Sequence, residues 1–93
     1  MITQVGDDGR VHLAAYHGPG REGLAQLYPM PLDGTTATGR AVGERRVIHF
    51  ADIEHDPEVP PIARAGWTGM GMRAAIVAPM LWEGRGIGAI HVV

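Results

Sequence analysis

An α+β domain on one antiparallel sheet of five to six strands, with short helices and loops on one face, follows from three features of the sequence. Arg73 to Leu81 and Ile87 to Val93 are apolar runs joined by the charged glycine turn Glu83-Gly84-Arg85-Gly86, the signature of a β-hairpin. Ile2 to Val5 and Arg10 to Tyr16 repeat that arrangement about Gly6-Asp7-Asp8-Gly9. The segments between the two hairpins have helical spacing but are cut short by proline and glycine. Strands at both ends with helices inserted between them make α+β rather than alternating α/β.

The elements follow in order. Ile2-Thr3-Gln4-Val5 is strand-like and short. In the partner run, Val11, Leu13 and Ala15 face one side of the sheet, and His12, Ala14 and Tyr16 the other. His17-Gly18-Pro19-Gly20 ends it. Arg21 to Tyr28 is read as two helical turns with Leu24, Leu27 and Tyr28 on one face. Pro29 and Pro31 stop them, because proline lacks the amide donor and restricts the residue before it. Asp33-Gly34-Thr35-Thr36 supplies N-cap chemistry for a helix from Ala37 to Arg45. Arg46 to Ala51 is a third strand, β-branched near its start. Asp52 to Pro61 is an acid- and proline-rich loop. Ile62 to Ala65 is read as one helical turn stopped by Gly66, and Trp67 to Gly71 as irregular. The two runs of the last hairpin complete five strands.

Composition removes several function classes. The 93 residues make one small domain, 1–93, which buries a modest share of its surface. An apolar content of 45% is that of a folded protein. Net charge is −2 and lysine is absent, so there is no basic footprint for nucleic acid or an anionic membrane. With no cysteine, disulfides, thiolate metal sites, a cysteine nucleophile and thioether attachment of a chromophore are all excluded. No apolar stretch reaches the roughly 18–20 residues of a membrane span, and the polar start does not read as a signal peptide.

Two glycine-rich stretches imitate nucleotide motifs without their context. Gly34 to Ala41 has the outline of a phosphate loop, but Arg40 stands in place of lysine and Ala41 in place of the magnesium-binding hydroxyl. A capped helix with close-packed glycines is the better reading. Gly69-Met70-Gly71-Met72-Arg73-Ala74 fits a relaxed dinucleotide pattern, yet a strand rather than a helix follows it. The histidines, His12, His17, His49, His55 and His91, have no helical ligand spacing and no clustered carboxylates. They are read as strand or loop residues, with no metal site; a non-covalent haem or metal on one or two of them is the alternative. No nucleophile–base–orienter set is legible, so no catalytic residue is assigned.

Asp52 closes the third strand and Arg73 opens the fourth, so antiparallel pairing brings both to one rim of the sheet. They make either a structural ion pair or a fork for an anionic ligand, with Asp52 orienting Arg73. Trp67, Met70 and Met72 either wall a pocket or fill the core beneath a loop. With Phe50 on the adjoining strand, these are the candidate ligand-binding residues: Phe50, Asp52, Trp67, Met70, Met72 and Arg73. The glycine-rich stretch around Met70 suits a lid.

The ordered set Pro29-Met30-Pro31-Leu32, Thr36 to Gly43, Val47 to Asp52 with Asp56-Pro57, Gly71-Met72-Arg73, Ala78-Pro79-Met80 and Gly86-Ile87-Gly88 resembles the GAF domain. The likeness is greatest to the form found beside bacterial histidine kinases and nucleotide cyclases. It implies a cytoplasmic regulatory sensor of an unknown small molecule, feeding an output domain elsewhere in a bacterial signalling protein. A ligand-free dimerisation domain is the alternative. Glu54 replaces the proline of the bilin-binding element Phe50-Ala51-Asp52-Ile53, and without cysteine neither a covalent bilin nor the cysteine-dependent sulfoxide-reducing branch fits. The cyclic-nucleotide pattern is not found. The family's helices before the first strand and after the last are absent, which makes the domain incomplete and bares the sheet face they cover. A homodimer, in one form by strand exchange, is expected to cover it; a truncated domain that is only marginally folded is the alternative.

Overall fold

The computed structural model describes residues 1–93. Its strands are β1 Ile2–Val5, β2 Val11–Ala15, β3 Ile48–Phe50, β4 Ala75–Trp82 and β5 Arg85–Val92. Its helices are α1 Arg21–Gln26, α2 Ala37–Glu44 and α3 Pro61–Gly69. The five strands form one antiparallel sheet in the order β2-β1-β5-β4-β3, so the predicted α+β architecture holds.

The β4–β5 hairpin is the spine of the sheet. Its turn is tighter than the four residues expected: Trp82 pairs with Arg85, and only Glu83 and Gly84 lie between them. Both have positive φ, 49° and 78°, the geometry that matches a two-residue loop to the strand twist. Ala75 and Val77 on β4 and Ala89 and His91 on β5 are buried, while Ile76, Ile90 and Val92 between them are exposed. This period-two alternation defines an inner and an outer face. Register sets Thr3 of β1 opposite Ala89 on the inner side and Ile2 opposite Ile90 on the outer.

The inner face is covered by α2, which packs across β4 and β5, and by α3. Thr36 caps α2, its hydroxyl accepting from the Gly39 amide at 3.1 Å, with the chain extended at φ −119°. Gly39 is required by close approach: a Cβ there would stand 2.0 Å from the Asp33 carbonyl oxygen. The phosphate-loop look-alike is therefore a capped, close-packed helix start. Arg40 is held by Glu44 at 2.7 Å and Glu58 at 3.1 Å, above the Phe50 ring.

Helix α3 corrects the sequence reading. The chain does not stop at Gly66 or turn irregular at Trp67; it is helical from Pro61 to Gly69. Proline at the first helical position costs no hydrogen bond. Gly66 costs the helix about 1 kcal/mol relative to alanine, but it faces Leu27, whose Cδ1 would lie 3.3 Å from an added Cβ. Burial of Trp67 one residue on outweighs that cost. The third strand is shorter than expected, Ile48–Phe50 rather than Arg46 to Ala51. Phe50, Ile53, Val59, Trp67, Val77 and Ala41 are the centre of the core.

Candidate functional site

The six residues named from the sequence fall into three places. Phe50 and Trp67 are both core, their ring centroids 5.9 Å apart. Asp52, Met72 and Arg73 border an open, polar cleft at the sheet rim together with Arg64. Met70 lies in a groove between α1 and α3. They do not converge on one site.

The rim juxtaposition of Asp52 and Arg73 is real, since the Ile53 amide donates to the Arg73 carbonyl at 2.8 Å. The expected ion pair is not. Asp52 instead takes the His55 ring nitrogen at 3.1 Å and the His55 amide at 3.2 Å. A residue three positions on is held within reach by the turn itself, whereas Arg73 faces the open cleft. The hydrogen bond from the His55 side chain holds the Asp52 carboxyl below its ordinary range.

A largely apolar, partly open pocket lies elsewhere, between the inner sheet face and the helices. Val11 of β2 and His91 of β5 form its floor, Leu24 of α1 and Leu27 at that helix's C-cap one wall, and Ile62, Ala63, Gly66 and Trp67 of α3 another. Met1, Tyr28, Met30 and the Thr36–Thr38 start of α2 close the remainder. The cavity volume is about 30 Å³, more than one water requires. No Asp, Glu or Arg lines it, and the charged group among its lining residues is the Met1 ammonium, which donates to the His91 carbonyl at 3.0 Å. Desolvation there pushes the Tyr28 phenol up to about 12.

His91 is the chemically distinctive member. It is 4% exposed, stands edge-on to Trp67 with centroids 6.3 Å apart, and belongs to a buried polar cluster. Its Nε2 is 3.0 Å from the Thr38 hydroxyl and 3.3 Å from that of Thr3. The two hydroxyls are 2.7 Å apart, and Thr3 Oγ1 lies 3.4 Å from the Ala89 carbonyl. The other ring nitrogen, Nδ1, is buried with no partner. Sequence reasoning set all five histidines aside. The alternation Ala89-Ile90-His91-Val92 was the available signal, since it puts His91 on the face of Ala89.

Burial, and then the neighbouring amino-terminal charge, lower the pKa of His91 from 6.5 to about 4. The unfolded chain therefore takes up a proton that the folded chain refuses. The stability His91 contributes is fully present above about pH 6.5 and is lost as pH falls towards about 4, a change of about 3 kcal/mol. Urea melts from pH ~7 down to ~4.5 should record that decline, and His91→Gln should flatten it. An unchanged slope in the variant would assign the acid sensitivity to another group.

A family model described as GAF domain matches residues 2–93. No curated protein matches the chain. Among solved structures, the fold is similar to the X-ray structure of free methionine-R-sulfoxide reductase from Neisseria meningitidis in complex with its substrate, with a TM-score of 0.70 and 23% identity. The alignment covers 97% of this chain and 47% of that one, so this chain spans about half of its neighbour's length. At that identity the likeness is one of fold.

Proposed function

The chain belongs to the GAF domain family, and on that premise we propose that it is a regulatory sensor module binding a small molecule between the sheet and its helices. The observation that carries this reading is the pocket over β2 and β5, walled by α1 and α3 and floored by His91. A largely apolar lining with few polar groups is the composition of a small-molecule site, and at about 30 Å³ the pocket must widen, α1 and α3 moving apart, to admit a metabolite. A ligand there touches the sheet and both helices at once. It can therefore bias a two-state arrangement of the helices against the sheet, by its difference in affinity for the two states. We assign Trp67 to this site, as its wall. Asp52, Met72 and Arg73 border a separate cleft, and Phe50 supports Trp67 from behind.

The signal would pass to an output domain of the parent protein, a bacterial histidine kinase or nucleotide cyclase in the cytoplasm, and the chain itself would perform no chemistry. With no cysteine, thiol reduction of a sulfoxide has no nucleophile in this chain.

A panel of small neutral metabolites tests the reading by thermal shift. At least one should raise the melting temperature of the wild type, and Ala63→Leu, which grows a side chain into the cavity, should abolish the rise. No response from the wild type across the panel would favour the ligand-free dimerisation reading, in which Trp67 and its neighbours fill the space themselves.

A specific observation also supports a homodimer. Ile2, Ile76, Ile90 and Val92 on the outer face are between 37% and 62% exposed. Ile2 pairs with Ile90, and Ile76 with Val92, so they form one contiguous apolar patch of the kind that marks an interface. A second copy covering this patch would be disrupted by Ile90→Glu, because the carboxylate would be buried without a partner. Sedimentation velocity should show the dimer constant weakened at least about tenfold. A wild type that sediments as a monomer at every attainable concentration would remove the dimer.

A further inference from the structure

The two helical walls of the pocket are fastened very differently. Helix α3 is held from several sides. Trp67 lies in the core against Phe50, and Ala63 packs on the same cluster. The Arg64 guanidinium donates to the Ile53 carbonyl at 3.2 Å and to the Asp56 carbonyl. The glycine-rich stretch around Met70, which the sequence marks as a lid, is tied down too. The amides of Met70 and Met72 both donate to the Trp67 carbonyl, at 3.1 and 2.9 Å, and the Gly71 amide donates to Thr68 at 3.0 Å.

Helix α1 has few such ties. It has six residues and buries only Leu24, and a helix that short depends on packing to persist. The amides of Leu24, Leu27 and Tyr28 all donate within the segment Gly20 to Tyr28. The side-chain hydrogen bond that leaves the segment runs from Arg21 to the Tyr16 carbonyl at 3.1 Å, on the adjoining stretch of chain. The segment hangs between two fixed points. Before it, the Tyr16 hydroxyl donates to the Pro19 carbonyl. After it, Val11 and Met30 exchange both backbone hydrogen bonds at 2.8 Å. Gly20 starts the helix at φ 77° with no side-chain cap, a conformation glycine enters and leaves without strain.

The seam between the two helices is thin. Leu24, Leu27 and Gly66 line the pocket and also the groove between α1 and α3, so one layer of side chain separates interior from solvent. Leu27 is 43% exposed. Gly23, Gly66 and Gly69 border the groove, and glycines leave little to interlock across it.

From this arrangement we infer that Gly20 to Tyr28 is the lid of the sensor site. It swings off α3 about Gly20 and the stretch before Met30, parting at Leu24, Leu27 and Gly66, while α3 stays on the sheet. Opening this way exposes one buried leucine. Moving α3 instead would expose Trp67 and break both Arg64 bonds. The inference rests on the sensor reading for what passes through the opening, and adds to it which wall moves.

The chain has no cysteine, so one introduced thiol reports the opening. Ala37 lines the pocket at the start of α2 and is 6% exposed. In Ala37→Cys, methyl methanethiosulfonate should react at least about tenfold faster than global unfolding allows, as read from the slowest β4 and β5 amides. Hydrogen exchange of the wild-type chain, followed by NMR, should show the Leu24 and Leu27 amides opening at least about tenfold more often than those of Arg64 and Met72. Gly20→Ala then separates a lid from a frayed helix. An added Cβ there meets only Met70 Cγ, at 3.8 Å, so the change acts through the positive φ. Placed in the Ala37→Cys chain, it should speed α1 exchange and thiol labelling together, by at least about fivefold. Gly69→Ala, where an added Cβ meets nothing within 4 Å, should change neither. Equal protection of α1 and α3 would overturn the inference, and so would faster α1 exchange with unchanged labelling. A metabolite that binds while α1 and α3 stay equally protected would keep the sensor reading and sink the lid. Labelling that follows α1 in a chain that binds nothing from the metabolite panel would keep the moving helix and sink the sensor reading.

Discussion

Replacing Trp67 by alanine is expected to cost about 3–5 kcal/mol, the range for deleting a large aromatic side chain from a core. The indole is 4% exposed, 5.9 Å from the Phe50 ring centroid and 6.3 Å from that of His91. It is the contact through which α3 is fastened to the inner sheet face. A domain of this size has about 5–15 kcal/mol in hand, so the variant should fold only marginally, with its urea midpoint sharply lowered. Trp82, at 65% exposure on the end of β4, is the internal control, and Trp82→Ala should stay within about 0.5 kcal/mol of the wild type. Equal effects at the two tryptophans would contradict the placement of α3. The same deletion enlarges the cavity, so any residual folded protein should bind small ligands less selectively.

Gly39→Ala and Gly43→Ala should have opposite signs although both glycines lie in α2. Alanine is favoured over glycine inside a helix by about 1 kcal/mol, and at Gly43, where an added Cβ meets nothing within 4 Å, that gain should be seen. At Gly39 the same methyl would stand 2.0 Å from the carbonyl oxygen and 2.6 Å from the amide nitrogen of Asp33. Backbone cannot rotate out of the way as a side chain can. To make room, the Asp33 turn must shift, loosening both the Thr35 amide bond to Asp33 Oδ1 at 2.8 Å and the Thr36 cap. A loss of about 3 kcal/mol or more is expected, at the upper end for overpacking. Thermal melts of the two variants side by side measure it, and a stabilised Gly39→Ala would mean that the Asp33 turn is not where the structure puts it.

These two positions mark where sequence reasoning works and where it stops. Local chemistry is legible. Thr36 was readable as a cap because its hydroxyl precedes a helical run, and the β-hairpins because turn residues separate alternating segments. The stop of α1 before Pro29 follows from the missing proline amide. What depends on contacts distant in sequence is not legible. Gly66 reads as a helix stop until one sees that it packs against Leu27, and Trp67 reads as loop until the sheet beneath it is in place. The rim meeting of Asp52 and Arg73 followed from strand order alone. That Asp52 takes His55 instead depended on a turn geometry that residue types do not specify. His91 was the largest omission. On a strand a histidine at an inward position is visible by alternation, but its value comes from Thr3 and Thr38, which lie 88 and 53 residues away along the chain. No spacing rule joins those three.

The central claim is that the space between sheet and helices takes a small molecule. Native mass spectrometry of the freshly purified protein, run gently and again after denaturation, tests it most directly. The account predicts an added small mass that leaves on denaturation and is missing from Ala63→Leu. A spectrum of bare polypeptide in which neither gentle conditions nor added neutral metabolites produce an adduct would contradict it, and would leave a domain whose interior is filled by its own side chains.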